Sequence, residues 1–301
     1  MYIIKMFQSN PPQDQINSIL ELFTKGQIKQ ALVAIDILSK DYPNESLLFN
    51  IRGACFASLG QLDDAVQSYQ KAVSINPNYA KAHYNLGNVL QDLNQLDNAV
   101  RSYQSALAIE PKNSETHNNL GNVFRDLEQF EDAISCFEKA IVINPRYVEA
   151  HYSLGLTFHD LDKLKKTVES YKKVLSLKPD FAEMHNNLGN VYKELGELEL
   201  AEESFKKAII INPDFLEANY SLCITLHELG QLNDAVISYE RVISLKPDFS
   251  EAHSNLGVVL SELGKLEDAE ASFRKAIALD SNYVVAHYNL GNTLKDLRKI
   301  D

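Results

Sequence analysis

The chain has 301 residues, 45% of them apolar and 23% charged, a balance that excludes wholesale disorder. Lys and Arg number 29 against 41 Asp and Glu, a net charge of −12, so nucleic acid is excluded as an expected partner. No run approaches the ~18 consecutive apolar residues of a membrane-spanning helix, and no membrane association is expected.

Residues 1–11 read as an N-terminal extension. Its opening Met1-Tyr2-Ile3-Ile4-Lys5-Met6-Phe7 is too short for a signal-peptide core, and no small-residue cleavage site follows. Residues 12–45 form a degenerate, capping hairpin with Gly26, Ala31 and Pro43, but with Ile19 where a glycine row later runs. Seven units of equal length then fill 46–283, and residues 284–301 supply one further first helix. Proline recurs at one fixed interval, at Pro43, Pro77, Pro111, Pro145, Pro179, Pro213 and Pro247. Glycine keeps the same interval at Gly53, Gly87, Gly121, Gly155, Gly189, Gly257 and Gly291, with Cys223 in the remaining slot. Alanine runs from Ala31 to Ala269, broken by Thr167, and an aromatic row runs from Tyr69 through Tyr103 and Phe137 to Phe273. Tyr84, Tyr152, Tyr220 and Tyr288 alternate with Asn118, Asn186 and Ser254, a period of two units that reads as duplication of a two-hairpin block.

Within one unit, Ala82, His83, Leu86, Gly87, Val89, Leu90 and Leu93 share a face of a helix over 80–93. A second amphipathic helix runs from Leu96 to Ile109, and Pro111 stops it. The link between them holds Asn94 here and Gly60, Gly196, Gly230 or Gly264 elsewhere, suiting the left-handed residue that ends a helix. Gly87 and Ala99 are expected to let the two helices touch backbone to backbone. One hairpin cannot bury its own apolar faces, so stacking is obligatory.

These rows resemble the tetratricopeptide repeat family, with its W-x2-L-G-x2-Y, A-x3-F and P pattern over about 34 residues. The third repeat reads His83-x2-Leu86-Gly87-x2-Leu90, Ala99-x3-Tyr103, Pro111, with His or Asn where the family often has an aromatic residue. The resemblance covers residue 12 to about 301. It implies an all-α, right-handed superhelical solenoid of antiparallel helix hairpins whose first helices line a concave groove. It also implies a protein that binds other proteins or peptides.

One polar stripe per first helix stands apart from the packing rows, at spacings that keep it on one face. It comprises Lys81, Asn85, Asn88 and Asp92; Glu115, Asn119, Asn122 and Asp126; Glu183, Asn187, Asn190 and Glu194; Glu251, Asn255, Val258 and Glu262; and finally Asn289, Asn292 and Asp296. The fifth and seventh repeats replace the amides, leaving Asp160 and Glu228. The ladder resembles the repeat region of O-linked N-acetylglucosamine transferase, where amides hold the backbone of an extended peptide. An amide donates and accepts at once, as a peptide backbone requires. The alternative is that these side chains cap neighbouring helices or hydrate the face. The unbroken acidic row Asp92, Asp126, Asp160, Glu194, Glu228, Glu262 and Asp296 predicts a preference for neutral or basic peptides over acidic ones. A carboxylate clamp of the chaperone-binding kind is not expected, because Tyr84, Asn118, Tyr152, Glu115 and Glu149 stand where it needs cations.

His83, His117, His151, His185, His253 and His287 recur one per helix, too far apart to share a metal, and read as packing residues. His159 and His227, beside Asp160 and Glu228, can at most tune the charge of the stripe. Cys55, Cys136 and Cys223 fall in packed rows and read as inert; odd and widely spaced, they suggest a reducing, cytoplasmic setting. No catalytic constellation, metal site or cofactor motif is present. The last helix keeps its full packing pattern, which suggests a fragment of a longer protein or end-to-end self-association through Leu290 and Leu294. The leading expectation is a non-catalytic interaction scaffold. The alternatives are a substrate-docking region of a larger transferase or oxygenase and a self-assembling module.

Overall fold

The computed structural model describes residues 11–297. The expected extension at 1–11 and the end of the last helix therefore lie outside the described residues, apart from residue 11 and residues 284–297. Among the described residues there are 17 α-helices and no strand. Two helices open the run, α1 (Gln13–Thr24) and α2 (Ile28–Asp41). Next come α3 (Ser46–Ser58), α4 (Leu62–Ile75), α5 (Ala80–Asp92), α6 (Leu96–Ile109), α7 (Ser114–Asp126), α8 (Phe130–Ile143) and α9 (Val148–Asp160). The rest are α10 (Leu164–Leu177), α11 (Ala182–Glu194), α12 (Leu198–Ile211), α13 (Leu216–Glu228), α14 (Leu232–Leu245), α15 (Ser250–Glu262), α16 (Leu266–Leu279) and α17 (Val284–Asp296).

The chain forms two compact units that divide between Thr157 and Phe158, inside α9. In the first, the hairpins α3/α4, α5/α6 and α7/α8 pack internally and join through α4 on α5 and α6 on α7. In the second, α11/α12, α13/α14 and α15/α16 repeat the arrangement, with α17 packed on α16. No described helix is long and apolar enough to cross a membrane.

The turn inside each hairpin depends on one left-handed residue. Gly26, Gly60, Gly196, Gly230 and Gly264 have φ between 70° and 75°. Where glycine is missing, Asn94, Glu128 and Asp162 take the same conformation at φ 55–58°. The reason is hydrogen bonding: Asn94 N–H donates to the Gln91 carbonyl and Gln95 N–H to the Leu90 carbonyl, both at 2.8 Å. These bonds satisfy carbonyls that the helix end leaves unpaired.

The glycine row has a different cause from the one expected. A Cβ on Gly87 would lie 2.6 Å from the Tyr103 ring, not against the backbone of the second helix. Gly53, Gly121, Gly189 and Gly257 face the rings of Tyr69, Phe137, Phe205 and Phe273 at 2.6–2.7 Å in the same way. Those rings are at most 3% exposed. Each hairpin thus closes around an aromatic side chain that the first helix must leave room for. At Gly291, on α17, a Cβ would meet nothing within 4 Å. The apolar exposure of α17 also differs from expectation: Leu290 and Leu294 are half-buried, whereas Val284, Val285 and Tyr288 are 76%, 53% and 69% exposed.

Candidate functional site

None of the stripe asparagines is buried. Asn85, Asn88, Asn119, Asn122, Asn187, Asn255 and Asn289 are half-buried, and Asn190 and Asn292 are exposed. Their hydrogen bonds divide them into two groups. In the first unit a chain of polar contacts links successive first helices. Asn85 Nδ2 donates to Asn50 Oδ1 at 3.0 Å. Asn119 Nδ2 donates to the Tyr84 hydroxyl and to Asn88 Oδ1, each at 3.2 Å. The Tyr84 hydroxyl donates to Glu115 at 2.6 Å, and the Tyr103 hydroxyl to Asn88 Oδ1 at 2.6 Å. Burial and the Glu115 carboxylate push the Tyr84 phenol up to about 12, so it keeps its proton. In the second unit Asn255 Nδ2 donates to the Tyr220 hydroxyl at 2.9 Å, repeating the Asn119–Tyr84 bond. Asn85, Asn88, Asn119 and Asn255 are therefore already engaged between helices. Among the described residues Asn122, Asn187, Asn190, Asn289 and Asn292 make no side-chain hydrogen bond, which leaves their amides available.

The acidic row is exposed throughout, at Asp92, Asp126, Asp160, Glu194, Glu228, Glu262 and Asp296. Part of it is partnered by the preceding first helix of the same unit. His159 Nε2 lies 3.0 Å from Glu194, Lys193 Nζ 3.2 Å from Glu228, and His227 Nε2 3.0 Å from Glu262. Exposed contacts of this kind contribute only about 0–1 kcal/mol each, and the Lys193 ammonium offsets part of the negative field of the row. Among the described residues Asp92, Asp126 and Asp296 form no ion pair.

The histidine row is a set of staples. Each Nε2 sits 2.9–3.1 Å from a carbonyl oxygen six residues earlier: His83 on Pro77, His117 on Pro111, His151 on Pro145, His185 on Pro179 and His253 on Pro247. Asn219 makes the same bond to Pro213 at 3.1 Å. A carbonyl only accepts, so the ring nitrogen carries the proton. Among the described residues no group of three potential metal ligands comes together. Cys55, Cys136 and Cys223 are buried free thiols, and burial pushes them up to about 11, about 11 and about 12.

Sequence reasoning missed three contributors, Asn50, Lys193 and the tyrosine hydroxyls. The signal for the tyrosines was present in the two-unit alternation that holds Tyr84 and Tyr220. Their role became visible only once each hydroxyl was found against the asparagine 35 residues later.

Family models described as TPR repeat match residues 53–94, 87–124, 121–162, 157–196, 224–264 and 259–297, and one described as tetratricopeptide repeat matches 182–215. The chain belongs to the tetratricopeptide repeat family. Among curated proteins, a stretch of 75 residues is 28% identical to the peroxisomal targeting signal receptor of Saccharomyces cerevisiae. That stretch is 25% of this chain and 12% of the receptor. The Kluyveromyces lactis receptor is 39% identical over 44 residues, 15% of this chain and 8% of the receptor. Among solved structures, a TPR repeat-containing protein from Cytophaga hutchinsonii superposes with a TM-score of 0.61 at 19% identity, covering 91% of this chain and 98% of that one. YrrB, a TPR protein with an unusual peptide-binding site, superposes at 0.56 and 21% identity, covering 63% and 97%. MamA does so at 0.54 and 25% identity, covering 57% and 93%.

Proposed function

We propose that the chain is a non-catalytic scaffold, working in the cytoplasm, that holds an extended peptide against the polar stripe of its first helices. The observation that carries this reading is the set of unengaged amides, Asn122 in the first unit and Asn187 and Asn190 in the second, each on the solvent-accessible face of a TPR first helix. The partial similarity to receptors for a targeting signal agrees with a peptide ligand. Asp92 and Asp126, which carry no ion pair among the described residues, favour a neutral or basic peptide over an acidic one.

The test is peptide-array mapping followed by titration of the best peptide. Two amide bonds at about 1 kcal/mol each correspond to roughly 30-fold in affinity. Replacing Asn187 and Asn190 with Ala is expected to weaken binding by about that factor with helicity unchanged. Replacing Asn85 or Asn119 is expected to lower thermal stability instead, because those amides join helices. Equal affinity of the Asn187/Asn190 variant and the parent would refute the peptide ladder.

A second reading, self-association, is favoured by the exposed Val284, Val285 and Tyr288 of α17. Light scattering across concentration distinguishes it, since only self-association gives a mass that rises with concentration.

A further inference from the structure

The second helices carry mixed charge, with one exception. Residues 163–178, which contain α10, hold Lys163, Lys165, Lys166, Lys172, Lys173 and Lys178 against Glu169 alone, a net charge of +5. The matching sixteen residues around α2, α4, α6, α8, α12, α14 and α16 carry between 0 and −2. All six lysines are exposed.

Among the described residues none of them is held in an ion pair. On other second helices several cations have carboxylate partners: Lys206 with Glu202, Lys207 with Glu203, Arg241 with Asp214 and Arg274 with Glu270. Among the described residues none of the six α10 lysines has a carboxylate within 4.0 Å. Three are held over aromatic rings instead, Lys166 at 5.1 Å from Phe158, Lys172 at 5.5 Å from Tyr192 and Lys178 at 4.3 Å from Phe181. A ring positions an ammonium without cancelling its charge. The Tyr192 hydroxyl also raises the Lys172 ammonium above its ordinary value, which keeps it protonated.

Local helix physics disfavours this arrangement. The N-terminal end of a helix is its positive pole, so acidic residues belong in the first turn. Asp63 and Asp64, Asp97, Glu131 and Asp132, Glu199, Asp234, and Glu267 and Asp268 occupy it in α4, α6, α8, α12, α14 and α16. In α10 the first turn has no acid, and Lys163, Lys165 and Lys166 stand there. Among the other second helices α2 also lacks a first-turn acid, but it carries Lys29 alone there and its charges sum to zero. Only α10 joins that lack to a net charge of +5, and a concentration of cations without an ion-pair partner among the described residues marks a surface that finds its compensation in a partner.

We propose that the exposed face of α10 is a second interaction surface, separate from the asparagine stripe, that docks an acidic segment of a partner protein. Lys165 and Lys172, and likewise Lys166 and Lys173, lie seven residues apart, about 10.5 Å along the axis. Carboxylates two turns apart on an acidic helix match that pitch. A polynucleotide or a bilayer is the poorer fit. Outside these sixteen residues the chain carries −17, and either of those surfaces would extend past the patch into that charge. The solvent face of α10 presents Lys165, Lys166, Glu169, Lys172, Lys173 and Ser176, with no apolar side chain to enter lipid.

The test titrates the full chain, by fluorescence anisotropy, into a labelled Ala/Glu helical peptide with Glu one and two turns apart. The probes run beside it are its Glu→Gln counterpart, a single-stranded DNA oligonucleotide and phosphatidylserine vesicles. The Glu peptide is expected to bind, and to weaken at least tenfold between about 50 and 300 mM salt. The K165Q/K166Q/K172Q/K173Q variant is expected to lose binding by a similar factor, while the four Lys→Arg replacements retain it. K206Q/K207Q, on α12, should leave it unchanged, as should the Asn187/Asn190 variant, which separates this surface from the stripe. Absence of Glu-peptide binding, binding that survives the α10 Gln variant, or tighter capture of the oligonucleotide or the vesicles would each overturn the proposal.

Discussion

A glycine inside a helix is usually a weakness, since alanine in its place adds about 1 kcal/mol of helix stability. Gly87 and Gly291 occupy the same row but should respond to alanine with opposite signs. At Gly87 the new methyl would meet the Tyr103 ring at 2.6 Å, and that ring is fully buried with its hydroxyl bonded to Asn88. Overpacking typically costs about 1–3 kcal/mol, which exceeds the gain in helix propensity. Gly87→Ala is therefore expected to lower the denaturant midpoint, by a net loss of about 1 kcal/mol. At Gly291 the space is empty, so Gly291→Ala is expected to raise it by up to about 1 kcal/mol. Matching shifts of one sign in chemical denaturation would show that the aromatic row is not what requires the glycines. The sequence made the smallness of this row legible through its period. It could not reveal that the neighbour is a ring, because Tyr103 lies on another helix, beyond the turn.

Between elements, the histidine row does for the start of a helix what a cap does, tying it to the loop before it. His117 of α7 reaches the Pro111 carbonyl at 3.0 Å and is 9% exposed. Burial lowers its proton affinity, the Pro111 bond partly restores it, and Lys139 lowers it again. The folded state thus prefers the neutral ring more than the unfolded chain does. The sign follows: this contribution is complete above the unfolded value near 6.5, fades as pH falls through it, and is gone below the folded value. Asn219 supplies the non-titrating control, because an amide at the same place makes the same bond in α13. His117→Asn is expected to lose less stability than the parent between about pH 7.5 and 5.5 in urea titrations. A parallel pH profile for the two proteins would remove His117 from the account. The same element scale explains why the stripe was only half legible. Spacing along one helix put Asn88, Asn119 and Asn187 on the accessible face. Whether an amide is free depends on a tyrosine hydroxyl or another amide on the neighbouring first helix, 31 to 35 residues away. The same distance hid the pairing of Glu228 with Lys193, and of Glu194 and Glu262 with the rings of His159 and His227.

For the molecule as a whole, the fold was legible because its unit is short and is repeated, so every packing requirement appears in the sequence once per hairpin. The division between Thr157 and Phe158 was not, because it breaks no period: α9 keeps the register of its neighbours. That division has a consequence for stability. Packing in each unit runs between helices adjacent or next-but-one in sequence, which favours opening in pieces over a single transition. The three cysteines are placed to report it. Their thiols are raised to about 11, about 11 and about 12, so near neutral pH almost no thiolate exists and labelling requires the surrounding helices to open. Cys55 and Cys136 lie in the first unit and Cys223 in the second. If each unit opens cooperatively, maleimide labelling under mild denaturant, read by mass spectrometry of the three cysteine peptides, should give one rate for Cys55 and Cys136 and a different rate for Cys223. One shared rate would mean that the chain opens as a single block. Three distinct rates would mean that the hairpin, rather than the unit, is the cooperative element.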